Sequence, residues 1–231
     1  MKYRALTEAA VAGYVDALGF VALFGLFTVH VTGNFVLLGA VAAGGSTGVV
    51  LKLAAFPAFI SGIALAKGFA LAFAHDAQAR LERVLLWTQA ALLGLFLATG
   101  ILASPILDSG NWRVLLCGIT GAMAMGIQNA RPRLVGETGA PTTMMTGNVT
   151  QAVLDALSVL FERDSSLNQA ALSRIFVTLR LLAGFALGAV AGGAGFAFAG
   201  FWALVVPIAA LAVIAASLSF NHVSTLSGPS R

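Results

Sequence analysis

The sequence predicts an all-α polytopic membrane protein of about six transmembrane helices, built as two inverted three-helix repeats with broken first helices. Three observations carry this expectation. Of 231 residues, 59% are hydrophobic and only 10% charged, with a mean hydropathy of +0.93, whereas soluble domains are roughly a quarter charged. Apolar runs recur along the whole chain, long enough for the roughly 20-residue helices that cross a bilayer core of about 30 Å. The tripeptide Thr32-Gly33-Asn34 returns as Thr146-Gly147-Asn148, each copy interrupting such a run.

The repeat extends upstream. Gly13-Tyr14-Val15-Asp16-Ala17 precedes the first tripeptide, and Gly126-Ile127-Gln128-Asn129-Ala130 precedes the second. A pattern G-x-x-(D/N)-A followed by T-G-N thus occurs twice, and self-similarity of this kind decides the fold before anything else does. The halves fall at about 1–107 and 108–231, within a single membrane domain of 1–231. Thr, Gly and Asn are poor inside a helix and good at its start, where a side-chain oxygen accepts from the first turn's free N–H groups. Each tripeptide therefore reads as a break followed by a new, capped helix.

The expected spans follow in order. Ala9–Thr28 runs into a short helix Asn34–Ala43, and Val49–Ala74 and Val84–Ser104 complete the first half. Val114–Ala130 runs into Thr143–Phe161, followed by Ile175–Phe198 and Gly200–Phe220. The first unit of each half is too long for one straight span, so it is either a broken helix or a helix plus a re-entrant piece. Pro57 and Gly62 are expected to bend the second span. The fifth carries Gly184, Gly188 and Gly192, a face without side chains suited to close helix packing within the chain or in a homo-oligomer.

The formal charge of +4 is scattered between apolar spans, which argues against nucleic-acid binding. With a cytoplasmic N-terminus and six crossings, Lys2, Arg4, Arg80, Arg83, Arg163, Arg174 and Arg231 fall inside, and Lys52 and Arg113 outside. The positive-inside rule favours that orientation, with both termini cytoplasmic. An odd number of crossings then separates the halves, which sets the repeats in opposite orientations. Cys117, the only cysteine, is expected as a small buried hydrophobe. Asp16 interrupts the apolar run that a signal peptide would need, so the N-terminal segment reads as an uncleaved first span.

Polar residues inside the runs carry the functional reading. A carboxylate within a span costs roughly 2.5–3.5 kcal/mol on insertion scales, so Asp16 needs a partner, a proton or water. It is either a cation or proton site facing a pathway, or an acceptor for solvent and broken backbone. Arg131 and Arg133 are possible charge partners for it, or they lie in a surface loop, which their polar surroundings favour. Pro132 is expected to disturb a helix passing through it. A solute site between the breaks draws on Asp16, Thr32, Gly33, Asn34, Gln128, Asn129, Thr146, Gly147 and Asn148, with Thr142 and Thr143 adding hydroxyls. Breaks at mid-membrane would offer helix N-termini to an anion and free carbonyls to a cation.

His30 has no acid or second ligand close in sequence, so no metal is expected. Lys67, beside His75-Asp76, and Arg180 are expected to snorkel. Asp155 and Glu162 read as a solvated helix end. The chain has no H-E-x-x-H, no G-x-S-x-G, no Walker loop and no Cys/His ligand set, so neither an enzyme nor a cofactor is expected.

Taken together, the two G-x-x-(D/N)-A segments and the two T-G-N tripeptides resemble the YoaK family of bacterial multi-pass membrane proteins (domain of unknown function 1275), along nearly the whole chain. The resemblance implies about six helices in the cytoplasmic (inner) membrane, with the lipid bilayer as surroundings, and implies no particular substrate. The segment ARPRLVGETGAP between the second pair of motifs is more polar than its counterpart, a departure from exact two-fold repetition. The expected function is a small-solute transporter or channel with its site between the breaks. The alternative is a non-transporting structural or partner-binding membrane protein.

Overall fold

The computed structural model describes residues 2–44, 47–74, 77–137, 140–161 and 165–226. His75, Asp76, Glu162, Arg163 and Arg231, which entered the charge and snorkelling expectations, lie outside them. All regular structure among the described residues is helical: α1 (Lys2–Ala22), α2 (Gly33–Ala42), α3 (Val49–Ala72), α4 (Gln78–Ala103), α5 (Trp112–Leu134), α6 (Met145–Phe161), α7 (Ser165–Ala199), a 3₁₀ turn (Gly200–Leu204) and α8 (Val205–Leu226). Four stretches of the described chain, Tyr3–Ala22, Val49–Ala72, Gln78–Ala103 and Asn168–Leu218, are long and apolar enough to cross a membrane. The last runs from α7 into α8. Helix α5 has the length but carries Arg113, Gln128, Asn129, Arg131 and Arg133, and its C-terminal half is buried in the bundle.

Two helix pairs hold the bundle together by backbone contact. Gly184, Gly188 and Gly192 of α7 lie on Leu6, Ala10 and Tyr14 of α1, so the two helices run in the same direction. A methyl group on Gly188 would stand 2.1 Å from the Ala10 carbonyl oxygen, and one on Gly13 2.0 Å from that of Phe185. The glycine ladder is thus spent on packing inside the chain. The same relation joins α5 to α3: a methyl on Gly62 would stand 2.2 Å from the Met123 oxygen, and one on Gly126 2.2 Å from that of Phe59. The role of Gly62 is this close approach. Each half's first helix therefore packs on a helix of the other half.

Helix α4 packs on α5 and α8, and the 3₁₀ turn closes the end of the bundle. Phe201 meets Phe96 and Phe196 edge to face, at 5.9 and 5.3 Å between centroids. The Tyr14 hydroxyl donates to the Ala203 carbonyl (3.0 Å). Cys117 is buried in this core, as its apolar setting suggested. Lys67 and Arg180 are exposed. Lys52 is buried: its ammonium donates to the carbonyls of Phe24 (2.8 Å) and Thr47, capping the turn at the end of α1.

Candidate functional site

Helix α1 does not kink into α2. It ends at Ala22, turns through Phe24 and Gly25, both with positive φ (53° and 76°), and the chain doubles back beside it. The returning strand of backbone has no helical or sheet partner, so its N–H groups need other acceptors. Asp16 supplies them. Its Oδ1 accepts from the N–H groups of Thr28 (2.8 Å) and Val29 (2.7 Å) and from the Thr28 hydroxyl (3.4 Å). Its Oδ2 meets Nδ1 of His30 at 2.7 Å. His30, a third exposed, is thus the partner of Asp16, an acid fourteen residues away that folding brings to the imidazole.

Asn34 completes this first break. Its Oδ1 accepts from the Phe27 N–H (3.0 Å) and its Nδ2 donates to the Phe27 carbonyl (2.8 Å), a two-way bond across seven residues. This corrects the capping expectation: Thr32 precedes α2 without a side-chain cap. The N–H groups of Gly33 and Asn34 donate instead to the carbonyls of His30 (2.7 Å) and Val31 (3.2 Å). The first turn satisfies itself, and the asparagine is released to hold the loop.

The second break repeats this register with other chemistry. Asn148 Nδ2 donates to the Pro141 carbonyl (2.8 Å), again seven residues back, so Pro141, Thr142, Thr143 and Met144 stand where Phe27, Thr28, Val29 and His30 stand in the first. Proline has no N–H, so the reverse bond that Asn34 accepts has no donor here. Asn129, the counterpart of Asp16, donates to the Thr143 hydroxyl (2.8 Å). The Thr142 hydroxyl is buried without a partner among the described residues. Thr146-Gly147-Asn148 lies within the first turn of α6 rather than ahead of it.

Of the nine residues expected to bind solute, the structure gathers Asp16 with Asn34 at one break and Asn129 with Asn148 at the other. Thr32, Thr146 and Gly147 are exposed, Gly33 makes room for the Phe27 ring, and Gln128 points elsewhere. Phe185 of α7 touches the first break, the His30 ring meeting it edge to face at 5.3 Å, and it packs on the small cluster of Ala9, Met145 and Leu181. An apolar cavity of about 340 Å³ between α1, α7 and α8, flanked by Tyr14, Gly188 and Pro207, reaches neither break.

Arg131 and Arg133 do not neutralise Asp16. Helix α5 continues through Pro132 to Leu134, which carries Arg131, expected in a surface loop, into the interior, fully buried. Its guanidinium meets Glu82 Oε1 at 3.0 Å and pairs with Glu8 Oε2. Arg4 Nε meets Glu8 Oε1 at 2.9 Å, and its Nη2 pairs with Glu82 Oε1 and meets Glu137 Oε1 at 3.2 Å. Gln128 donates to the Glu8 carbonyl (2.8 Å) and accepts from Gln89 (2.7 Å). Exposed Arg133 folds back on the Asn129 carbonyl (3.0 Å). Asp155, read as a solvated end, is buried against Arg174 at 2.7 Å.

Sequence reasoning passed over Glu8 and Glu82. The available signal was Arg4 and Glu8 at i,i+4, and a glutamate in the first turns of α4; both patterns usually mean a wetted helix end. No curated protein and no solved structure matches the chain. Over residues 5–217 it matches the family described as "Protein of unknown function (DUF1275)". With the motifs of both halves inside the matched region, the chain belongs to this family of unknown function.

Proposed function

We propose that this protein is a small-solute transporter or channel of the cytoplasmic membrane, with six crossings in two inverted repeats and its solute site between the two breaks. One observation carries the reading: two doubled-back segments, each held by an asparagine seven residues ahead and by an Asp or Asn of the preceding helix, recur at corresponding places in the two halves. Irregular backbone at membrane depth persists where it lines a cavity or is buried in protein, and transporters use it for sites. The exchanged packing of α1 on α7 and α5 on α3 supports the repeat, because one rule of contact serves both halves.

The second reading, a non-transporting scaffold, draws on one fact: both oxygens of Asp16 are already engaged by its own loop. Proteoliposomes separate the two. Inorganic anions, alkali cations, monocarboxylates and amino acids are offered in turn, with uptake read by counterflow and by current on supported membranes. Transport predicts a protein-dependent signal for at least one class, falling about tenfold or more in Asp16→Asn at unchanged insertion, the worth of one charge-assisted hydrogen bond. No signal in any class from folded protein, or a variant as active as the wild type, overturns it.

A further inference from the structure

The interior cluster of Arg4, Glu8, Glu82, Arg131 and Glu137 lies apart from both breaks, and neither break needs it. It sets three carboxylates against two guanidiniums. Arg131 is fully buried and Glu8 and Glu82 nearly so, in surroundings where an uncompensated charge is costly. Glu8 spends both oxygens on guanidinium contacts, whereas Glu82 and Glu137 each use only Oε1. Two carboxylate oxygens therefore stand outside the guanidinium contacts, and one negative charge is in excess. On the other side, Nε of Arg131 is buried with no acceptor among the described residues, so the cluster has more than one way to pair.

We propose that these five side chains form a binding site for a single proton, shared among Glu8, Glu82 and Glu137, and that this proton is the ion coupled to solute movement. The coupling rests on the transport reading; the proton site does not. A proton balances the charge with least disturbance. A metal ion, with only two such oxygens to hold it, would have to pull further ones off the guanidiniums, and an anion would add to the excess. Exposure rises in order, from 0% for the Arg131 side chain through 2% for Glu8, 11% for Glu82 and 21% for Arg4 to 39% for Glu137. Glu137 is thus the solvent-side member through which a proton passes. It also sits in the link between α5 and the second break.

The elements meeting around the cluster carry further charges, Lys2 and Asp16 on α1, Lys52 and Lys67 on α3, Arg80 and Arg83 on α4, Arg113 and Arg133 on α5 and Arg174 and Arg180 on α7; of these Lys67, Arg80, Arg83, Arg133 and Arg180 are exposed or half-exposed cations that solvent screens. Burial raises the Glu137 carboxyl above its ordinary range, partly offset by Arg131 and Arg4. For an acid so raised, the folded state holds the proton more tightly than the unfolded chain. Its stabilising share is complete below the unfolded value and is lost as pH rises through the folded one.

The test is an infrared pH titration of the full chain in lipid nanodiscs, following the carboxylic acid C=O stretch. The wild type should show one protonated carboxyl per chain persisting above about pH 5, where exposed carboxyls are ionised. Glu137→Gln, at the accessible edge where folding is least at risk, leaves two carboxylates for two guanidiniums and should lose the band; Asp16→Asn should keep it. No such band, or one unchanged in both Glu137→Gln and Glu82→Gln, overturns the proton site. In liposomes carrying a pH dye, solute movement should drive proton movement in the wild type and not in Glu137→Gln. Solute counterflow without proton movement overturns the coupling alone. No counterflow, with the band intact, overturns the transport reading and with it the coupling, and supports the proton site.

Discussion

The two breaks share one backbone device and differ in what fills it. In both, an asparagine reaches back seven residues, and the G-x-x-(D/N)-A residue of the preceding helix bonds to the returning segment. The first break adds a carboxylate, an imidazole and a threonine hydroxyl bonded to that carboxylate. The second has a neutral amide, a proline, a methionine and a hydroxyl left alone. The backbone register is alike where the chemistry differs. A buried carboxylate is therefore confined to the first break, whereas the charge that reaches the second is the exposed Arg133 guanidinium, on Asn129 and Met144.

Large and matched effects should come from the frame around the breaks, where the halves are alike. Gly13→Ala and Gly126→Ala each drive a methyl group into a carbonyl oxygen of the neighbouring helix, so α1 must part from α7, or α5 from α3. Overpacking typically costs about 1–3 kcal/mol, and contact with backbone, which cannot swing aside, belongs at the upper end. Thermal unfolding in detergent should show matched losses. A Gly126→Ala protein as stable as the wild type would break the equivalence of the two interfaces.

The first break should then prove the more demanding. Asp16→Ala removes the acceptor of two buried backbone N–H groups, each costing about 1–3 kcal/mol when orphaned. Asn129→Ala removes a side-chain bond to a hydroxyl free to turn to its own backbone and a long one from the exposed Arg133, for about 1 kcal/mol. The same melting measurement ranks them. Equal losses would mean that the Asp16 bonds carry no more than the Asn129 bond does.

Much of this comparison was legible in sequence, because the recurring spacing of G-x-x-(D/N)-A and T-G-N marked both helices and both asparagines. The direction in which the asparagines bond was not. Propensity describes a helix start in isolation, whereas here the first turn closes on its own carbonyls and the free backbone lies seven residues earlier. The Asp16 to His30 pair was hidden because a doubled-back loop brings together residues that a straight span keeps apart. Arg131 with Glu8 and Glu82 was harder still, with partners 123 and 49 residues away. Hydropathy says which helices are apolar and nothing of the register between them. A polar residue at a helix end therefore looks wetted until another helix is seen to cover it.

The smallest effect is the most discriminating, since it turns on one oxygen atom. Thr28 and Thr142 occupy the same step of their loops and are both buried. The Thr28 hydroxyl is bonded to Asp16, and the Thr142 hydroxyl has no partner among the described residues. Valine matches threonine in shape and removes only the polar group. At position 28 that change leaves Asp16 with one bond fewer, a loss of about 0.5–1.5 kcal/mol. At position 142 it removes a group whose burial is already uncompensated, so Thr142→Val should be neutral or stabilising by about 1 kcal/mol. The two valine variants should thus move the melting midpoint in opposite directions, or one of them not at all. A matched fall in both would mean that the Thr142 hydroxyl is bonded in the protein as it exists in a membrane, and that the two breaks are closer in chemistry than their side chains suggest.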